Sequence, residues 1–268
     1  MQNKAETSVL PFFVLIFVLS IPFWLLGVIR PIELLPGLPI SALGAFTPAL
    51  AALILFYKND GLSNVLQLLR RSFDFKRIKN KSWFLLILLI NPGIAVLAYC
   101  MIGMVGVSLP NPTPLTLAVF PLFVFFFIGA LGEEIGWTAY ATERLLRHWG
   151  TLAASVLLGV IWSLIHFVPL TQAHRSAEWI AWWSLGTISY RLIMTWLYVH
   201  SGRSLFGAAV FHTMINLSWQ LFPVNGSHYD PRIFSLITFT FAIALYVRER
   251  FLLRHHRTFT NFQTRSFQ

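Results

Sequence analysis

Residues 83–107 read WFLLILLINPGIAVLAYCMIGMVGV, 25 residues without one Asp, Glu, Lys or Arg. A helix rises 1.5 Å per residue, so about 20 apolar residues cross the roughly 30 Å of bilayer hydrocarbon. Inside lipid a segment must satisfy its own backbone N–H and C=O groups, and a single stretch does so only as a helix. The stretch therefore predicts a membrane-crossing helix. Moving outward in both directions, runs of the same kind occupy 8–29, 40–57, 115–135, 151–170, 179–200, 205–222 and 232–248. The run at 115–135 continues past Glu133 as an amphipathic stretch with Glu143, Arg144 and Arg147 on its polar face, so this helix is expected to overshoot the membrane or lie partly in its interface. The fold class that follows is all-α, a polytopic membrane bundle of about eight transmembrane helices forming one domain over 1–268.

The whole composition agrees. Of 268 residues, 56% are apolar and 11% charged, with a mean hydropathy of +0.68, more grease than a soluble globule of this length can bury. The net charge of +10 does not form a nucleic-acid stripe, because the basic residues sit between apolar runs. They set orientation instead, since short loops rich in Lys and Arg stay on the cytoplasmic side. Placing loop 58–82 inside puts Lys58, Arg70, Arg71, Lys76, Arg77, Lys79 and Lys81 there. Alternation then places Lys4, Arg144, Arg147, Arg203, Arg248, Arg250, Arg254, Arg257 and Arg265 inside too, and leaves only Arg30, Arg175 and Arg232 outside. Sixteen against three predicts both termini in the cytoplasm, with 249–268 a basic cytoplasmic tail in contact with anionic lipid. Lys4 ahead of the first run, with no small-residue cleavage site behind it, predicts an anchor and not a removed signal. The single cysteine, Cys100, rules out an internal disulfide and a CxxC metal site, and is expected to be packed or lipid-facing.

Ionisable residues inside a bilayer cost about 2.5 kcal/mol or more each, so the few present are functional candidates. They are Glu133 and Glu134 in GALGEEIGWTAY, His166 in GVIWSLIHFVPL, Arg191, and His212 with Asn216 in GAAVFHTMINLS. Neighbouring helical residues point about 100° apart, so one glutamate of the pair is expected to orient the other. His212 and Asn216, four apart, share a face and would present two donors to one reacting oxygen. Gly129, Gly132 and Gly136 are spaced to let a helix or a substrate backbone approach the carboxylates. A lone intramembrane histidine often does no more than join two helices, and Arg191 reads first as an ion-pair partner for a glutamate. A proton-coupled transporter would use the same residue types, but the chain shows no inverted repeat.

These three segments resemble the CPBP family, the intramembrane proteases of CAAX and bacteriocin processing, also called Abi. The family pattern is EExxxR, FxxxH and HxxxN on successive transmembrane helices. Here the three read Glu133 to Thr138, Trp162 to His166 and His212 to Asn216, within a core of 115–222. The resemblance implies an intramembrane endopeptidase of a membrane-associated peptide or protein, a prenylated one among the options, in a bacterial plasma membrane. Glu133 and His166 would activate water, His212 and Asn216 would hold the oxyanion, and Glu134 would support. Zinc is the one cofactor the donors suggest, on His166, His212 and Glu133, although the compact HExxH spacing is absent. Two positions depart from the pattern. Trp162 replaces Phe and keeps an aromatic, while Thr138 replaces the motif arginine, so either Arg191 supplies that charge or the chain is an inactive scaffold or immunity protein of the same fold.

Overall fold

The protein is described by a computed structural model covering residues 8–112 and 116–265, with the side chains of 60 and 252–265 left out. The expectation for Lys4, and for the side chains at the end of the basic tail, lies outside the described residues. Each of the eight apolar runs is helical over most of its described residues. In chain order the elements are α1 (Leu10–Ile29), a short antiparallel hairpin of β1 (Glu33–Leu35) and β2 (Leu38–Pro39), a 3₁₀ stretch (Ile40–Phe46), α2 (Thr47–Arg70), α3 (Ser82–Met104) and α4 (Val119–Glu134). A π-helical stretch (Ile135–Thr142) then leads into α5 (Glu143–Ile165), α6 (Phe167–Gln172), α7 (Ala177–His200), α8 (Leu205–Leu221) and α9 (Pro231–Arg265).

Among the described residues, five stretches are long and apolar enough to cross a membrane: Leu10–Ile29, Ile40–Asn59, Ser82–Met104, Val119–Gln172 and Pro231–Phe251. The fourth has 54 residues, which as one rod would reach about 80 Å, over twice the hydrocarbon thickness. Gly150 breaks it, with φ 69 inside α5. Gly61 does the same in α2 with φ 75, and in both places no L side chain would adopt the backbone comfortably. Of the remaining helices, α8 has 17 residues and α7 carries Glu178 and Arg191, which explains why neither stands out by apolarity.

Polarity is inverted relative to a soluble protein. Leu85, Leu89, Val96, Phe120, Val124 and Val247 lie exposed on the outside, whereas Glu133, Glu134, Arg191 and His212 are buried. This is an integral membrane bundle, since apolar side chains can face outward at no cost only where the solvent is lipid. Cys100 lies on that exposed apolar surface. Helix α5 packs along α7 and α7 along α9, while α8 lies against both α3 and α4. The start of α8 is fixed from outside it. The Asp74 carboxylate accepts from the amides of Leu205 (3.3 Å) and Phe206 (3.1 Å) and from Ser204 Oγ (2.7 Å), satisfying donors that a helix N-terminus leaves open.

Candidate active site

The two glutamates end α4 where the backbone widens into π geometry, a feature frequent at functional sites. Thr142 Oγ1 marks the wider turn by donating to Trp137 O, five residues back, at 2.8 Å. Close approach of α2 holds this stretch in place. A Cβ at Gly136 would stand 2.4 Å from Pro48 O, and one at Gly132 would stand 2.6 Å from Phe46 Cδ1 and 3.2 Å from Ala45 O. At Gly129 nothing lies within 4 Å of the Cβ position, and it lines a cavity, the place where a substrate backbone, and not a helix, would approach.

Glu134 is fully enclosed, and both its oxygens are engaged. Arg191 grips it with two prongs, Nη1 to Oε2 at 2.9 Å and Nη2 to Oε1 at 3.1 Å. Thr138 Oγ1 donates to Oε2, and His212 Nδ1 donates to Oε1 at 2.9 Å. The guanidinium also lies over the Trp162 ring, 4.3 Å from its centroid. Arg191 from α7 thus places a guanidinium on Glu134, and Thr138 adds a hydroxyl to the same carboxylate.

Glu133 is held differently. Its Oε2 accepts from Trp162 Nε1 at 2.6 Å and from Trp137 Nε1 at 3.3 Å, and its Oε1 stands 3.8 Å from His212 Nε2. Two neutral donors orient one oxygen and leave the other turned toward the second imidazole nitrogen. Trp162 is legible in the sequence through the motif, whereas Trp137 belongs to no motif position. The signal was there, because Trp137 follows Glu133 by four positions on one helical face.

A cavity of about 300 Å³ gathers Glu133, Trp162, His166, His212 and Asn216 along its wall. Its rim includes Leu34, Gly37 and Leu38 of the hairpin and Arg175 before α7, none of them singled out from sequence. His166 donates Nδ1–H to the Trp162 carbonyl at 2.7 Å, because a carbonyl only accepts. Its Nε2 therefore keeps a lone pair unless the ring is charged. His166 shares the cavity but contacts neither glutamate. The two segments are joined through the indole of Trp162, one turn before His166, which donates to Glu133.

The donor set does not suit zinc. Among the described residues no three His, Cys, Asp or Glu side chains converge closely enough to share an ion, so His166, His212 and Glu133 do not form a metal centre. Chemically the cavity offers one orientable carboxylate, the Nε2 atoms of two imidazoles and the Asn216 amide, in a largely apolar pocket.

Residues 114–218 match the family model of type II CAAX prenyl endopeptidase Rce1-like proteins, a span that holds all three motifs. A CAAX prenyl protease 2 from Methanococcus maripaludis is 25% identical over 196 residues, covering 68% of this chain and 72% of the relative.

Proposed function

The family match and the relative support the CPBP family for this chain, and from that premise we propose that it is an intramembrane endopeptidase whose water is activated by Glu133 and His166. The observation that carries this reading is the meeting of Glu133, His166, His212 and Asn216, from three separate helical segments, on one cavity. Glu133 Oε1 and the lone pair of His166 Nε2 are the basic atoms available to take a proton from water. His212, fixed through Nδ1 by Glu134, turns Nε2 into the cavity one helical turn from the Asn216 amide. When Nε2 carries a proton, Nε2–H and the Asn216 amide are two donors for the oxygen that becomes negative as the tetrahedral intermediate forms.

The CAAX names make a prenylated, membrane-associated protein the general substrate class. The finer reading is eight crossings with both termini cytoplasmic, supported by the charge distribution of the loops. In that orientation the cavity rim, built from 34–48, 169–183 and 229–234, faces away from the cytoplasm. A membrane-tethered peptide delivered on that side then becomes the preferred substrate.

The test is cleavage of a membrane-anchored peptide library by purified protein, beside Glu133→Gln and His166→Ala. Loss of a general base lowers the rate about 10²- to 10⁴-fold while the fold persists. Cleavage by Glu133→Gln at the parent rate would refute the assignment.

A further inference from the structure

Arg175 lies on the rim of the cavity that holds Glu133, and among the described residues lining that cavity it is the one lysine or arginine. Its backbone is fixed, the amide donating to Leu170 O at 3.1 Å after His174 turns the chain with φ 56. Its side chain is fixed too. The guanidinium lies over the Trp179 ring, 4.8 Å from the centroid, and against the turn of the hairpin, where a Cβ at Gly37 would stand 3.2 Å from Nη2. Gly37 has φ 75, so the turn and the close approach both call for glycine.

These contacts hold the charge without neutralising it. Among the described residues no carboxylate stands within ion-pair distance of Arg175, and no oxygen accepts from its guanidinium. Acids of the neighbouring segments are engaged elsewhere: Glu33 accepts from the Gly37 amide at 3.0 Å, and Asp230 pairs with Arg232 at 3.1 Å. A planar fork, held by stacking at the edge of a largely apolar cavity, is matched to an incoming carboxylate, which it can meet with two hydrogen bonds.

The spacing to the reacting groups narrows which carboxylate this is. Trp179 and Trp183 both line the cavity and are one turn apart on α7, about 6 Å along its axis. Arg175 lies on the first, and the His166 ring centroid is 5.3 Å from that of the second. Extended peptide covers about 3.3 Å per residue, so a chain whose terminal carboxylate meets Arg175 brings to His166 a carbonyl about two or three residues from its end. In a CAAX sequence the prenylated cysteine stands three residues from the end of the chain. We propose, resting on the endopeptidase reading of the same cavity, that Arg175 binds the C-terminal carboxylate of the peptide to be cut and so sets the position of cleavage from the chain end.

The experiment compares two peptides that carry a prenylated cysteine three residues from the end, one with a free C-terminal carboxylate and one with a C-terminal amide. Cleavage is measured with the purified full-length protein, and binding with its Glu133→Gln variant, so that binding is read whether or not hydrolysis occurs. The parent should cut the acid with a kcat/KM about 10- to 100-fold above that for the amide, and Glu133→Gln should bind the acid more tightly by a like factor. Adding Arg175→Gln should abolish the preference by lowering the acid to the level of the amide while the amide is unchanged. Arg175→Lys, which keeps the charge and loses the fork, should retain part of the preference. A preference in binding that depends on Arg175, without cleavage, supports the carboxylate site and counts against the hydrolase reading alone. Equal binding of acid and amide, or a preference that survives Arg175→Gln, overturns the proposal.

Discussion

Replacing Arg191 by alanine tests whether this residue stands in for the missing motif arginine. Arg191 is 1% exposed and Glu134 0% exposed, and two hydrogen bonds of 2.9 and 3.1 Å join them. Removing one partner of such a pair leaves a buried charge uncompensated, at a cost of about 3–5 kcal/mol. Helix pairs in membranes recover part of that by finding other partners, so about 3 kcal/mol is the expected loss. At roughly 2–3 °C per kcal/mol for a chain of this size, the unfolding midpoint in detergent should fall by about 6–9 °C. Thr138 provides the rescue. Its hydroxyl already reaches Glu134 Oε2, so an arginine grown from the same Cα arrives at the same carboxylate through space that Arg191→Ala vacates. The double variant Arg191→Ala/Thr138→Arg should regain at least half of the lost midpoint and of the peptidase rate. Thermal unfolding followed by tryptophan fluorescence, with the peptide assay beside it, measures both. If Arg191→Ala alone leaves midpoint and rate at parent values, Arg191 is not the counter-charge and the reasoning fails.

Other outcomes follow from single contacts. Gly136→Ala should cost about 1–3 kcal/mol, because its Cβ meets the Pro48 backbone at 2.4 Å, whereas Gly129→Ala, open to the cavity, should leave the unfolding midpoint within error. Equal effects would show that the α2 contact does not hold the glutamates. Metal chelators should leave peptide hydrolysis unchanged, given that no three metal-ligating side chains converge; activity lost to a chelator and restored by zinc would contradict the reading. In a Cys100→Ser background, a membrane-impermeant maleimide added to intact cells should label Arg30→Cys and spare Lys79→Cys, both positions being exposed. The reverse pattern would invert the orientation and open the cavity to the cytoplasm.

The rods were legible because period and length decide them. The run 83–107 became Ser82–Met104 and the run 205–222 became Leu205–Leu221, with ends displaced by no more than three residues. What escaped was local backbone geometry. Nothing in IGWTAYAT distinguishes an i→i+5 turn from an ordinary one, and its close neighbour Pro48 lies almost ninety residues upstream in a different helix. The hairpin over 33–39 escaped for a related reason: its strands are two and three residues long, too short to show alternation. Among the site residues, the polar set stood out because each member is costly in lipid. Trp137 did not, because a tryptophan in a membrane helix is ordinarily read as packing or as part of an aromatic belt. Its indole N–H becomes informative only once Glu133 is known to lie within reach.

Adjacent glutamates look redundant in a sequence, and the packing explains why two are needed. Glu134 receives four donated contacts from Arg191, Thr138 and His212, so neither of its oxygens is available to a substrate. Its effect is to bind α4, α7 and α8 together and to fix which His212 nitrogen turns toward the cavity. Glu133, one residue earlier and about 100° round the helix, receives only neutral indole donors, both on Oε2. Oε1 therefore stays free at the cavity wall. A single carboxylate could not do both things, because the contacts that would anchor it are the ones that would block it. The division also explains why the site draws on four helices. Glu134 of α4 takes a cation from α7 and an imidazole from α8, Glu133 takes an indole from α5, and no continuous stretch of chain can place those groups around two neighbouring residues.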